Sequence, residues 1–241
     1  MPKSEAPKTQ PKRPQSEAPP DTQKPAILFD LDGTLMDSAY EHVSAWQQAL
    51  HENGVQIVSA RIHRCVGMSG RLMLQTVFRE IDRPISAARA ERLEKIHKKR
   101  FAEKLSSIRM LPGARELLVH LSRERIPWAI ATGGDNDTVM KMIKPLRVPS
   151  GVPVITADHV ERAKPDPDVF LEAAQRLGVP LKDCIVVGDS VWDLLGARRA
   201  KALGVGVLSG GYGEAELIQA GAYRVYKNPA ELLERIAEIG V

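Results

Sequence analysis

An α/β fold built on a parallel sheet covered on both faces follows from two observations. Five short apolar runs, Ala26–Phe29, Trp128–Ala131, Val152–Thr156, Cys184–Gly188 and Val205–Leu208, alternate with stretches of helical period such as Gly113–Arg125, Pro167–Leu177 and Val191–Leu203. The runs are mostly Val, Ile and Ala with no polar alternation, as strands buried on both sides require. Tyr223–Tyr226 is a candidate sixth strand.

One connection is out of scale. Between Asp37 and Arg109 no strand pattern occurs, only helical stretches near Ala39–Glu52, Ala60–Cys65, Arg71–Ile81 and Ser86–Leu105. So long a link is anomalous as a loop, and it reads as a helical subdomain inserted after the first strand. Met68, Met73, Leu74, Val77, Phe78 and Ile81 form an apolar stripe there, best explained by core packing. The expected organisation is a tail over 1–24, a core formed by 25–37 and 110–241, and a helical unit over 38–109.

The tail is Pro-, Lys-, Glu- and Ser-rich, repeats SEAP at Ser4 and Ser16, and lacks large apolar residues. Such a segment cannot bury enough surface to offset its ordering entropy and is expected to be disordered, with a weak partner as its conceivable ligand. In the remaining chain no apolar run approaches the ~18–20 residues of a membrane span, and the N-terminus has no signal-like apolar stretch. Both features point to a cytoplasmic protein without a membrane partner. Cys65 and Cys184 lack metal-site spacing and read as packed thiols. A net charge of +4 with 5% aromatic residues and no aromatic-interleaved basic patch argues against nucleic acid and fits small anions.

Ligands of a parallel sheet bind beyond the carboxyl ends of its strands. After the first run come Asp30 and Asp32; WAIAT ends in Thr132, Gly133 and Gly134; CIVVGDS ends in Asp189 and Ser190, with Asp193 one turn later; and Lys164 precedes a helix. Each alone is explained by capping or a turn. Together they bring three carboxylates, a hydroxyl and an amine to one sheet edge. Oxygen ligands without His or Cys suit Mg²⁺, and no G-x-x-x-x-G-K-[ST] loop is present to cradle a nucleotide. Metal-assisted phosphoryl transfer through an aspartyl phosphate is the chemistry that uses this set.

DLDGT, ATGG, AKPDPDVF and GDSVWDLLGA, in that order, resemble the motifs of the haloacid dehalogenase superfamily of phosphatases, and the insert resembles its C1-type helical cap. The likeness runs from Ala26 to the C-terminus and extends to the phosphoglycolate phosphatase and β-phosphoglucomutase branches. It implies a Rossmann-like doubly wound core, a small phosphorylated metabolite as substrate, and Mg²⁺ as cofactor. By this resemblance Asp30 is the nucleophile and Asp32 the general acid/base. Thr132 and the Gly133 amide grip the phosphoryl group, Lys164 offsets charge, and Asp193 orients Lys164 or metal-bound water. Asp189, Asp30 and the carbonyl of Asp32 hold the metal. Substrate choice is expected from Arg64, Ser69 and Arg71 in the cap segment RIHRCVGMSGR, while His63 is expected to be structural.

Asp32 argues against dehalogenase and phosphonatase chemistry, whose enzymes lack an acid at that position. A sugar-phosphate mutase would keep every core residue, though Thr34 stands where that branch usually has valine. A scaffold acting through the Pro-rich tail ranks below both, because the catalytic set is intact.

Overall fold

The computed structural model describes residues 24–241, so the expectations for the tail lie outside the described residues except at Lys24. The first strand, β1 (Ala26–Phe29), leads through a tight turn into a two-residue strand, β2 (Met36–Asp37), and then into four helices. These are α1 (Ala39–His51), α2 (Ser59–His63), α3 (Gly70–Glu80) and α4 (Ala87–Ala102). The chain returns through β3 (Arg109–Met110) and α5 (Ala114–Arg123) to β4 (Trp128–Ala131), α6 (Asn136–Met142) and β5 (Val154–Ile155). It ends with α7 (Asp168–Leu177), β6 (Cys184–Gly188), α8 (Val191–Ala200), β7 (Leu203–Val207), α9 (Glu214–Ala220), β8 (Ala222–Tyr226) and α10 (Pro229–Glu234).

Six strands form one parallel sheet in the order β5-β4-β1-β6-β7-β8. β1 is central because its four residues are all fully buried and their side chains alternate between two cores. Ile27 and Phe29 join Leu117, Leu121 and Val187 on one face. Ala26 and Leu28 join Phe170, Ala173 and Val186 on the other. Successive strands leave β1 on one side as β4 and β5, and the chain then crosses to the other side as β6. That reversal opens a crevice at the carboxyl ends of β1 and β6.

The four inserted helices surround a core of their own, with Trp46, Leu50, Ile62, Leu74, Phe78 and Leu93 at its centre. Ser69 and Ser86 start two of them: their side-chain oxygens accept from the backbone N–H of Leu72 and Arg89 at 3.2 and 3.3 Å. The outgoing and returning chains are pinned together by β2 and β3, which pair Met36 with Met110 and Asp37 with Arg109 in antiparallel fashion. This ribbon was absent from the sequence expectation because two residues carry no readable period. The third expected strand, Val152–Thr156, shortens to Val154–Ile155 at the sheet edge, and three further helices, α6, α9 and α10, are each too short to show a clear periodicity.

Phe78 is fully buried in the cap core. Phe78→Ala should therefore lower unfolding stability by about 3–5 kcal/mol in urea titrations. A loss under about 1 kcal/mol would show that the cap helices do not depend on a core of their own.

Candidate active site

Asp30 ends β1 at 6% exposure, and its N–H still donates to the carbonyl of Val187, so the ladder fixes its backbone. After Leu31 the chain must turn within two residues. Gly33 makes this possible at φ +76°, where a side chain is disfavoured and a Cβ would lie 2.5 Å from Oδ2 of Asp189. Gly210 meets the same oxygen from the other side, and a Cβ there would approach it to 1.6 Å. The Asp189 carboxylate thus sits in a slot that only glycine leaves open, with its Oδ1 accepting from the Thr34 hydroxyl at 3.0 Å. Ser209 completes the slot by donating to the carbonyl of Gly33 at 2.7 Å. The Ser209-Gly210 pair of the GVGVLSGG stretch thus walls this carboxylate.

Lys164 is 1% exposed and is held by two carboxylates, Asp30 and Asp193, the second at 2.7 Å. Asp193 has two tasks. Its Oδ2 accepts from both the N–H and the hydroxyl of Ser190, at 3.1 and 2.6 Å, closing the first turn of α8, while its Oδ1 faces Lys164. Capping and charge placement are therefore one interaction, not rival explanations.

Electrostatics at this edge are dominated by burial. Asp30 is pushed up to about 7 by burial and by the charges of Asp193 and Asp32, against the opposing pull of Lys164. Asp189 is raised well above the carboxylate range by burial and by its neighbours Asp193 and Asp30. Burial works against a charged Lys164 too, but the two carboxylates outweigh it and hold the ammonium firmly protonated. One cation facing three acids leaves excess negative charge. Carboxylate oxygens of Asp30, Asp189 and Asp193 lie within 4.8 Å of one another, a hard-oxygen donor set whose repulsion a divalent cation would relieve. Both oxygens of Asp193 are engaged, by Lys164 and Ser190, whereas Asp30 and Asp189 each keep one oxygen without such a partner and could hold it.

Asp32 behaves differently. Its Oδ1 accepts from the Ser38 hydroxyl at 2.6 Å and from Nε2 of His42 at 3.2 Å. Burial alone would raise it, but His42 and Ser38 overcome that and hold it below the usual carboxylate range. Its side chain is thus engaged by Ser38 and His42 and stands outside the cluster of Asp30, Asp189 and Asp193. His42 comes from α1 and contacts His97 of α4, Nδ1 to Nε2, at 3.1 Å. The two rings stack on Phe101 and Trp46, at centroid distances of 3.7 and 4.0 Å. Burial, with the nearby charge of His42, holds His97 well below the ordinary imidazole value. Sequence reasoning missed both histidines. His42 and Trp46, four apart, do share a helix face, but nothing local shows that this face meets Asp32.

Thr132 ends β4, is 1% exposed, and uses its Oγ1 to accept from the N–H of Gly134 at 3.2 Å. Its hydroxyl proton remains available for an incoming oxygen. Around Gly133 there is open space within 4 Å of where a Cβ would stand. Asp30, Asp32, Thr132, Gly133, Lys164 and Asp189 all line one cavity of about 360 Å³, roofed by the cap. That volume is near the small end of the roughly 300–1,000 Å³ common to small-molecule sites.

The three expected substrate contacts of the cap are placed elsewhere. Arg64 pairs with Glu216 at 2.9 Å and lies over the Tyr212 ring, while its carbonyl accepts from Trp192 and Tyr212 at 3.1 and 3.0 Å. It fastens cap to core. Ser69 spends its side chain on the start of α3, and Arg71 is exposed outside the cavity lining. Helix starts and interdomain contacts claim polar residues as readily as substrates do, and their spacing in sequence cannot separate these uses. His63 is structural: it is buried and its Nε2–H donates to the carbonyl of Gly210 at 2.7 Å. Loop Val66–Gly70 contributes Gly67 and Met68 to the cavity, and Lys98 of α4 closes the far rim by pairing with Asp135 at 2.9 Å.

The profile of haloacid dehalogenase-like hydrolases matches residues 27–207, covering both sheet and cap. Hexitol phosphatase A of Escherichia coli strain K12 is 37% identical over 166 residues, 68% of this chain and 74% of that protein. Phosphoglycolate phosphatase of Xanthomonas campestris pv. campestris is 32% identical over 188 residues, 77% of this chain and 83% of that protein. A crystallised hydrolase from Pseudomonas syringae superposes with a TM-score of 0.86 at 46% identity, covering 90% of this chain and 99% of the other. With its motifs gathered at one sheet edge under a helical cap, the chain belongs to the haloacid dehalogenase-like hydrolases and is a phosphatase of that family.

Proposed function

We propose that this phosphatase hydrolyses a small phosphomonoester in two steps, with Asp30 as nucleophile and Asp32 as general acid and base. The observation that carries the reading is the opposite treatment of two carboxylates two residues apart. Asp30 touches Lys164 and points at the metal carboxylate Asp189, while Asp32 is turned onto Ser38 and His42. Environments that push paired titratable groups apart assign them different roles.

In the first step a carboxylate oxygen of Asp30 forms a bond to phosphorus as the bond to the substrate's alkoxide breaks. Asp32 gives that alkoxide a proton. The incoming phosphoryl dianion raises the proton affinity of Asp32, which otherwise rests ionised between His42 and Ser38. In the second step Asp32, now a carboxylate, takes a proton from water as the water oxygen bonds to phosphorus and the bond to Asp30 breaks, releasing inorganic phosphate. Lys164, the Thr132 hydroxyl and the Gly133 amide hold the phosphoryl oxygens throughout. Asp30, Asp189 and the Asp32 carbonyl would hold Mg²⁺, which when bound supplies positive charge to the phosphoryl group and to the crowded carboxylates. His42 and His97 place Asp32 from the cap side, so that acid–base work is complete only with the cap seated.

Purified protein should release inorganic phosphate from phosphorylated metabolites with Mg²⁺ and not with chelator. Asp30→Asn should abolish this turnover. Asp32→Asn should slow it about 10²–10⁴-fold, the usual worth of a general acid–base. Full activity in Asp30→Asn would rule out the covalent route. Absence of phosphate release, paired with isomerisation of a hexose 1-phosphate in the presence of a bisphosphate primer, would favour the mutase.

Metal binding can be tested without turnover. A carboxyl raised from 3.8 to about 7 binds its extra proton in the folded state. That stability is fully present below the unfolded value and is lost as pH rises through about 7. Metal-free protein should therefore lose thermal stability as pH rises from about 4 to about 7 and level off above that, and Mg²⁺ should restore it most strongly at the higher pH. At a hundredfold excess over Kd the gain is about 2.7 kcal/mol, or roughly 5–10 °C for a chain of this size. An equal Mg²⁺ gain in Asp189→Asn would place the ion elsewhere.

A further inference from the structure

The cavity's cap side carries an ionic balance that its phosphoryl side does not explain. Its ionisable groups are Glu94, His97 and Lys98 of α4 and His42 of α1, facing Asp135 and Asp32 of the core, and His42 is turned onto Asp32. Lys98 and Asp135 neutralise each other at 2.9 Å. His97, held well below the ordinary imidazole value by burial, adds no charge. The basic residues flanking the cap loop do not compensate either, since Arg64 is tied to Glu216 and Tyr212, and Arg71 is exposed outside the lining. Arg71 is near enough to Glu94 to pull on its charge, but among the described residues no hydrogen bond or ion pair ends on that carboxylate. Gly70 leaves room for it: a Cβ there would come within 3.0 Å of Oε1 of Glu94 and 3.2 Å of the Trp46 ring.

Resting on the phosphatase reading above, we propose that Glu94 determines specificity by accepting hydrogen bonds from the hydroxyls of a neutral polyol or sugar phosphate and by repelling substrates with a second anionic group. A half-buried carboxylate offers about four acceptor positions and no donor. A chain of hydroxyls satisfies it. A carboxylate or second phosphate placed beside it in a low-dielectric cavity is strongly disfavoured. His97 and the Trp46 ring supply the remaining wall, a polar edge and an apolar face of the kind that sugar-like chains use. Burial raises Glu94 above its ordinary value despite the pull of Arg71, as expected of an acid that lacks a partner until substrate arrives. A bisphosphate intermediate would meet the same repulsion, which favours hydrolase over mutase.

Sorbitol 6-phosphate and 6-phosphogluconate differ only in a terminal hydroxymethyl or carboxylate, so the pair isolates this contact. The wild-type enzyme should prefer the former by about tenfold or more in kcat/KM, mostly through KM. Glu94→Gln should bring the ratio close to unity, and Glu94→Lys should invert it. A wild-type ratio at or below unity overturns the inference, and so does an unchanged ratio in a Glu94→Gln protein with native circular dichroism. A tenfold preference for glucosamine 6-phosphate over glucose 6-phosphate also overturns it, assigning Glu94 to an ammonium group instead. Failure to hydrolyse any substrate, p-nitrophenyl phosphate included, would fault the phosphatase reading. Turnover of p-nitrophenyl phosphate without preference between the sorbitol and gluconate esters would fault this inference alone.

Discussion

Removing an ammonium and two carboxylates from water costs several kcal/mol per ion, and mutual attraction repays that only where the geometry is close and the remaining lone pairs are satisfied. Lys164 meets that condition between Asp30 and Asp193, with Asp193 further satisfied by Ser190. Much else at the carboxyl edge follows from this arrangement. Because Asp193 caps α8, the helix that follows β6 orients the carboxylate that orients the lysine. Because the lysine touches Asp30, the carboxylate ending β1 is fixed relative to the one ending β6. Two strands, one helix and one loop are thus brought into register by a single buried ammonium.

Lys164 does not balance the site, and the remaining imbalance carries chemical meaning. Burial lifts Asp30 and Asp189 because one ammonium cannot offset three acids. A purely structural network would have no reason to keep that excess. Glycine at 33 and 210 clears the space around Asp189 that any larger residue would fill, so the excess is accommodated rather than relaxed. Two residues from Asp30, Asp32 is held by donors from the cap, which keep it below the usual carboxylate range. Difference of environment, not of residue type, separates the two roles.

Much of this was legible in the sequence, and the limits have physical causes. Ala26–Phe29, Trp128–Ala131 and Cys184–Gly188 match their strands residue for residue, since a strand buried on both faces must be apolar throughout. Polar residues just past those runs mark the site because strand ends are where a parallel sheet meets its ligand. Ligands assembled across long separations leave no such trace. His42 and His97 are 55 residues apart, and Gly210 lies 177 residues beyond Gly33, so only the packed structure shows which carboxylate each one serves. That Arg64 lies outside the cavity lining is not legible for a related reason: a charge in a cap loop reads the same whether it faces substrate or the neighbouring core. Its actual partners, Tyr212 and Glu216, come from the far end of the chain.

The position of Arg64 has a consequence for selectivity. A cap loop has few cations, and each one committed to closure is unavailable for recognising an anionic substrate. Here Arg64 fastens the cap to the core outside the cavity lining and Lys98 closes a rim of the cavity, each neutralised by a core acid. These pairings leave Glu94 as the cap-side carboxylate of the cavity with no ion pair among the described residues. In the proposed reaction the core beneath it would hold one phosphoryl group, through Lys164 and strand-end donors that serve any monoester. Discrimination falls to the cap by default. There the ion pairs that hold the enzyme closed are the same ones that decide which charges the rest of the substrate can carry.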